Sequence, residues 1–245
     1  MQIHEELENI YRIIFDELHL DKKTGRTINN EKRFATKIAI GENYQLSKKK
    51  ILFVSFDIGK DEKFVDTGVD TFQDFDERRD SVCSKGLNKN PHMAGVYGTA
   101  LYFLKDYYEW QESWKILETQ NQFFREALKS NSDNLPKDVL SYISLVNFYN
   151  FVTVGRTERT GGNDRYFLDE KKEIQLLVDT IKIITPDIIV VQSKSLRNYF
   201  LKQIKPNVNQ SIEIYVGVHP SIFGRGINYR RPANYIKDLT EFGRI

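Results

Sequence analysis

Thr185-Pro186-Asp187-Ile188-Ile189-Val190-Val191 is the stretch on which the fold turns. Proline cannot continue a helix, and the four apolar, β-branched residues after it suit a strand buried on both faces. Before it, residues 169–184 carry apolar positions at helical spacing. After it, a helix over Leu196 to Ile204 leads to a further strand over Ile212 to Val218. A strand, a helix and a strand in succession imply parallel pairing with a crossover.

Working outward, Lys48-Lys49-Lys50 precedes Ile51-Leu52-Phe53-Val54-Ser55-Phe56, a second short apolar run that ends at Asp57-Ile58-Gly59. Another lies at Ile143-Ser144-Leu145-Val146-Asn147-Phe148, before a Gly- and Arg-rich loop through Arg165. Ile3, Leu7, Ile10, Ile14 and Leu18 fall at steps of three and four, which predicts an amphipathic helix over 3–20. Residues 21–33 read as a loop or capping segment, and 60–92 as a polar, acidic surface excursion. From Met93 to Lys129 the pattern is helical with one or two breaks, and Asn131 to Pro136 is a clear stop. The reading is one α/β domain over 1–245, with an N-terminal helical extension at 1–45 and a core at 46–235. A central, mostly parallel four-stranded sheet lies between helical layers, a three-layer α/β/α sandwich.

Composition narrows the class. The chain has 245 residues, 40% hydrophobic and 13% aromatic, enough for a substantial core. Its longest apolar runs are far too short for a membrane span. One cysteine, Cys83, excludes an intramolecular disulfide, a four-cysteine iron–sulfur cluster and a cysteine-based zinc site. The start, Met1-Gln2-Ile3-His4-Glu5-Glu6, lacks the basic and apolar pattern of a signal peptide, so a cytoplasmic location is expected, and the chain is expected to act as a monomer. Net charge is only +2, yet Arg156 to Arg165 and Arg225 to Arg231 hold three arginines each, a distribution that suits phosphate contacts.

Ligands of open parallel sheets bind beyond the carboxyl ends of the strands. That rule selects Asp57 after the first core strand, Asn147 at the second and His219-Pro220-Ser221 after the last. A carboxylate can align or deprotonate water, an imidazole can stabilise charge on a leaving group, and an amide can read the edge of a base. Each residue type also has a bland use: a strand-terminal aspartate often caps a helix, and an asparagine often satisfies loop backbone. Their shared edge is what favours chemistry.

These residues resemble the uracil-DNA glycosylase superfamily. Val54-Ser55-Phe56-Asp57-Ile58-Gly59 is similar to its water-activating motif, and Val216-Gly217-Val218-His219-Pro220-Ser221 to its His-Pro-Ser motif. Leu145 to Phe151 resembles the strand whose asparagine recognises the extruded base, and the segment from Thr185 to Val191 resembles the penultimate strand. The likeness runs in order from about residue 50 to residue 232 and leaves 1–45 and 60–90 unexplained. It implies catalytic roles for Asp57 and His219, and a base-reading role for Asn147. Phe56, Gly59, Tyr97 and His92 are candidates to line the base pocket. In the loop after the motif, Ser221, Phe223, Arg225 and Tyr229 are candidates to enter the duplex. Arg230 and Arg231, with Arg156 and Arg159 from the other arginine-rich loop, would meet phosphates. Two departures stand out. Ile58 occupies a position that is commonly proline, and Gly59 occupies the place of the tyrosine that crowds the pyrimidine C5 position in the uracil-specific branch. The resemblance implies a monofunctional DNA glycosylase, with no metal or cofactor and no lysine in either motif. Its substrate would be uracil or a C5-modified or glucosylated cytosine, in repair or in defence against phage DNA. An inactive DNA-binding module of the same fold and a hydrolase of free nucleosides or nucleotides are the alternatives.

Overall fold

The computed structural model describes residues 2–56, 60–83, 91–157, 167–220 and 231–245. Its centre is a five-stranded, mostly parallel sheet. Helix α1 (Gln2–Glu17) comes first, then β1 (Lys32–Phe34) and β2 (Ala39–Ile40), then β3 (Ile51–Ser55). Helices α2 (Glu62–Thr67), α3 (Phe75–Cys83), α4 (Pro91–Leu104), α5 (Gln111–Glu118) and α6 (Phe124–Ser130) follow. The chain continues with β4 (Ile143–Asn147), β5 (Phe151–Thr153), α7 (Glu170–Ile184) and β6 (Ile188–Val191). It ends with α8 (Arg197–Tyr199), which runs on as a π-helical turn to Ile204, then β7 (Glu213–Val216) and α9 (Pro232–Phe242). The main sheet has the order β2-β4-β3-β6-β7, and β1 and β5 form a separate antiparallel ribbon.

The sequence reading gives four sheet strands, and the four it names are β3, β4, β6 and β7, all paired in parallel. The fifth, β2, is two residues long and antiparallel at the edge, too short to show a period. The N-terminal extension therefore also supplies β2 to the main sheet and β1 to the ribbon. The acidic excursion is likewise partly helical, in α2 and α3. Helix α3 buries only Arg78 and Val82, so it lacks the apolar stripe that reveals a helix in sequence.

Strands β3, β4 and β6 are buried at every position because helices cover both faces of the sheet. Leu52, Val54, Ile189 and Val191 pack with Leu7, Tyr11 and Ile14 of α1 and with Leu177 and Ile181 of α7. Ile51, Phe53, Ile143, Leu145, Ile188 and Val190 pack on the other face with Val96, Ala100 and Leu104 of α4 and with Ile236 and Leu239 of α9. Helix α7 starts where the Asp169 carboxylate accepts the Lys172 backbone N–H at 3.1 Å, an N-cap. It stops at Thr185, in the left-handed region (φ 46°) just before Pro186. Asp187 then accepts the Lys50 backbone N–H at 2.7 Å, aligning the starts of β6 and β3. Among the described residues no helix is long and apolar enough to cross a membrane.

Candidate functional site

Three parallel strands end alike on the face that packs against α4. Along β3 that face reads Ile51, Phe53, Ser55; along β4 it reads Ile143, Leu145, Asn147; along β6 and one step beyond it reads Ile188, Val190, Gln192. Alternation puts every second side chain on one face, so each strand carries two apolar residues and then a polar one. Ser55 pairs laterally with Asn147, and the Gln192 backbone N–H donates to the Val54 carbonyl at 2.9 Å. The three polar residues thus form a row across β4, β3 and β6 at the carboxyl edge. They are 3%, 2% and 0% exposed for Asn147, Ser55 and Gln192.

Helix α4 brings an imidazole onto this row. His92, the second residue of α4, has Nε2 2.7 Å from Gln192 Oε1 and 3.3 Å from Ser55 Oγ. An amide oxygen only accepts, so His92 carries a hydrogen on Nε2. Ser55 Oγ donates to the same oxygen at 3.0 Å. The other face of the His92 ring stacks on His219, with centroids 4.7 Å apart and planes 19° from parallel. His219 lies three residues beyond β7. Its segment is held from both sides: the Tyr235 hydroxyl donates to the Val218 carbonyl at 3.1 Å, and Pro220 sits directly on Gly95 of α4. A Cβ added at Gly95 would lie 2.1 Å from Pro220 Cβ, so only glycine permits this approach.

Not every polar atom here is satisfied. Asn147 Oδ1 and Nδ2 and Gln192 Nε2 are buried and have no hydrogen-bond partner among the described residues. A buried amide left unpaired costs about 1–3 kcal/mol. On the opposite face of the sheet, the segments after β3 and β4 raise an aromatic cluster. Phe56 meets Tyr149 edge-on at 5.3 Å, Tyr149 meets Phe167 at 5.0 Å, and Phe167 meets Tyr199 at 5.9 Å.

The chain matches no protein-family model, and no curated protein matches it in sequence. What the site can do rests on its own groups. Amides, imidazoles and a hydroxyl are gathered at one buried edge, and no cluster of three potential metal ligands occurs among the described residues.

Of the residues selected from sequence, His219, Asn147 and His92 come together at this edge, whereas Phe56 lies on the opposite face of the sheet, against Tyr149. Tyr97 does not join them. It is 1% exposed in the core under α4, and its hydroxyl donates to the Pro136 carbonyl at 2.6 Å. Burial pushes that hydroxyl well above the ordinary phenol range, so it stays protonated. Arg156 is half-buried, and its carbonyl accepts the Asp61 N–H at 3.1 Å, which ties its loop to the start of α2. Arg231 caps α9, its carbonyl accepting the Tyr235 N–H at 2.9 Å. Asp57, Gly59, Arg159, Ser221, Phe223, Arg225, Tyr229 and Arg230 lie outside the described residues. Sequence reasoning passed over Ser55 and Gln192. The signal was present: the strand-end rule that selects Asn147 selects Gln192 as the first polar residue after Ile188 to Val191.

Proposed function

We propose that the chain is a DNA glycosylase that hydrolyses the N-glycosidic bond of an extruded pyrimidine, on a three-layer uracil-DNA glycosylase-like fold. The observation that carries this reading is Asn147: a buried amide with its donor and its acceptor both unpartnered, at the carboxyl edge of a parallel sheet. A free donor and acceptor on one rigid group match the alternating acceptors and donors on the edge of a pyrimidine. The stacked pair of His92 and His219 stands at the same edge, where a leaving base would develop negative charge.

In this reading the nucleotide leaves the stack and its base docks at the carboxyl edge of the sheet, where Asn147 reads it. Heterolysis then leaves positive charge on the sugar and negative charge on the base. The Asp57 carboxylate favours the first and aligns the attacking water, and the His219 imidazole favours the second. The arginines at 156–165 and 225–231 meet DNA phosphates, so binding weakens as salt rises.

The test is base release from oligonucleotides carrying uracil, other deaminated bases or C5-modified cytosines, and from glucosylated phage DNA, read as alkali-labile sites. Wild-type protein should release one of these bases. His219→Ala should slow release by about 10²- to 10³-fold, and Asp57→Asn by about 10²- to 10⁴-fold. A protein that shifts DNA without creating alkali-labile sites would be a binding module, and release from free nucleosides alone would make it a nucleoside hydrolase.

A further inference from the structure

We propose that Gln192 is a second base-contacting residue, whose side-chain N–H donates to a carbonyl oxygen of the bound pyrimidine from the side opposite Asn147. The inference rests on the glycosylase reading for its reaction but on separate atoms for its evidence. Gln192 is 0% exposed. Its Oε1 accepts from Ser55 Oγ at 3.0 Å and from His92 Nε2 at 2.7 Å, which fills both acceptor positions of that oxygen. With Oε1 held at two points the amide cannot turn, so Nε2 is aimed one way only. There it has no partner among the described residues. A side chain fixed this firmly with its donor left empty is preorganised for a ligand acceptor.

Register places the ligand. Gln192 extends β6 and Asn147 ends β4, with β3 and Ser55 between them, and all three side chains stand on one face. Strands lie about 4.8 Å apart, so the two amides are roughly 10 Å apart at their Cα atoms. From those positions they can bond opposite sides of one ring. Asn147 offers a donor and an acceptor, and Gln192 adds only a donor. The favoured ligand therefore presents an acceptor there, as the carbonyl beside the glycosidic nitrogen of a pyrimidine does. That oxygen gains negative charge as the bond breaks, so the Gln192 donor strengthens in the transition state beside His219. His92 is then a positioning residue: it holds the acceptor end of Gln192 while its ring face supports His219.

Two measurements test this. The first follows the side-chain NH₂ resonances of ¹⁵N-labelled wild-type protein, with those of Gln192 identified by their loss in Gln192→Glu, as free uracil or free cytosine is added. The Gln192 and Asn147 amide signals should move together and saturate at one ligand concentration. The second measures base release by Gln192→Glu, which keeps an oxygen for Ser55 and His92 but removes the donor. Release should fall about 10²-fold, and Gln192→Met should fall at least as far. Asn147 signals that move while those of Gln192 stay still would overturn the inference, as would wild-type release by Gln192→Glu. Silence of both amides toward both bases would overturn it whatever the enzyme assay shows. If both amides respond but wild-type protein releases no base from any DNA, the glycosylase reading fails. The two-sided nucleobase site then stands.

Discussion

Asn147 is the residue at which stability and function pull apart. A leucine there would fill nearly the same volume, continue the apolar alternation Ile143, Leu145 and abolish two unpaired buried atoms. Unsatisfied buried polar groups cost about 1–3 kcal/mol, and an apolar group of the same shape removes that cost. Asn147→Leu should therefore raise the unfolding free energy in urea by about 1–2 kcal/mol while ending base release. A variant that unfolds at lower urea than wild type would mean the amide is satisfied within the protein, and the site would lose its main support. The amide was visible in sequence because it stands at the carboxyl end of a short apolar run, where the strand-end rule selects it. Tyr97 was misread because an aromatic near the start of a helix looks the same in sequence whether it faces a cleft or the core. Only packing shows that its hydroxyl goes to the Pro136 carbonyl.

Helix α4 joins the two halves of the site, carrying His92 in its first turn and Gly95 against Pro220 one turn later. Gly98, three residues on, meets Phe124 of α6 as closely: a Cβ there would lie 2.1 Å from the Phe124 ring. The two glycines thus make a matched pair. Alanine favours a helix by about 0.5–1 kcal/mol over glycine, but overpacking costs about 1–3 kcal/mol, so both Gly95→Ala and Gly98→Ala should lower thermal stability. Only Gly95→Ala pushes on the His-Pro segment, so only it should cut base release more than tenfold at temperatures where both variants are folded. Equal activity losses would mean that α4 matters to the site only through general stability. Strands of four or five residues buried on both faces were legible at this scale, as were α1 and α7, whose apolar positions recur at helical spacing. Elements without such a pattern were not. β2 has two residues, α2 buries none, and the ribbon of β1 and β5 pairs segments more than a hundred residues apart. Gln192 fell between the two cases, just past a strand with no motif to mark it.

Across the molecule, buried charges tie the N-terminal segment and the loops to the sheet. Arg33 is fully buried. Its guanidinium bonds Asp70, donates to the Thr71 carbonyl at 2.8 Å and lies 3.6 Å from Asp61, which itself accepts the Gly155 N–H at 3.0 Å. Glu173, in the first turn of α7, does the same for the opposite loop. Its carboxyl accepts the backbone N–H of Leu168 at 2.7 Å and of Asp169 at 3.3 Å, and the Asn150 side-chain N–H at 3.3 Å. Burial nonetheless outweighs these bonds and pushes the group up to about 7. In the unfolded chain it ionises near the ordinary glutamate value, about 4.5. Between those two values the folded state holds a proton that the unfolded state has released. Stability contributed by the neutral acid is therefore whole below about pH 4 and falls as pH climbs to about 7, where the loss levels off. A separation of roughly 2.5 pKa units corresponds to about 3 kcal/mol. Urea unfolding of wild type and Glu173→Gln from pH 4 to pH 8 isolates this group, because the other titrations are shared. The wild type should lose about 3 kcal/mol relative to the glutamine variant across that span. A constant difference between the two would mean that Glu173 is already ionised in the folded protein at acidic pH, with the three N–H donors outweighing its burial.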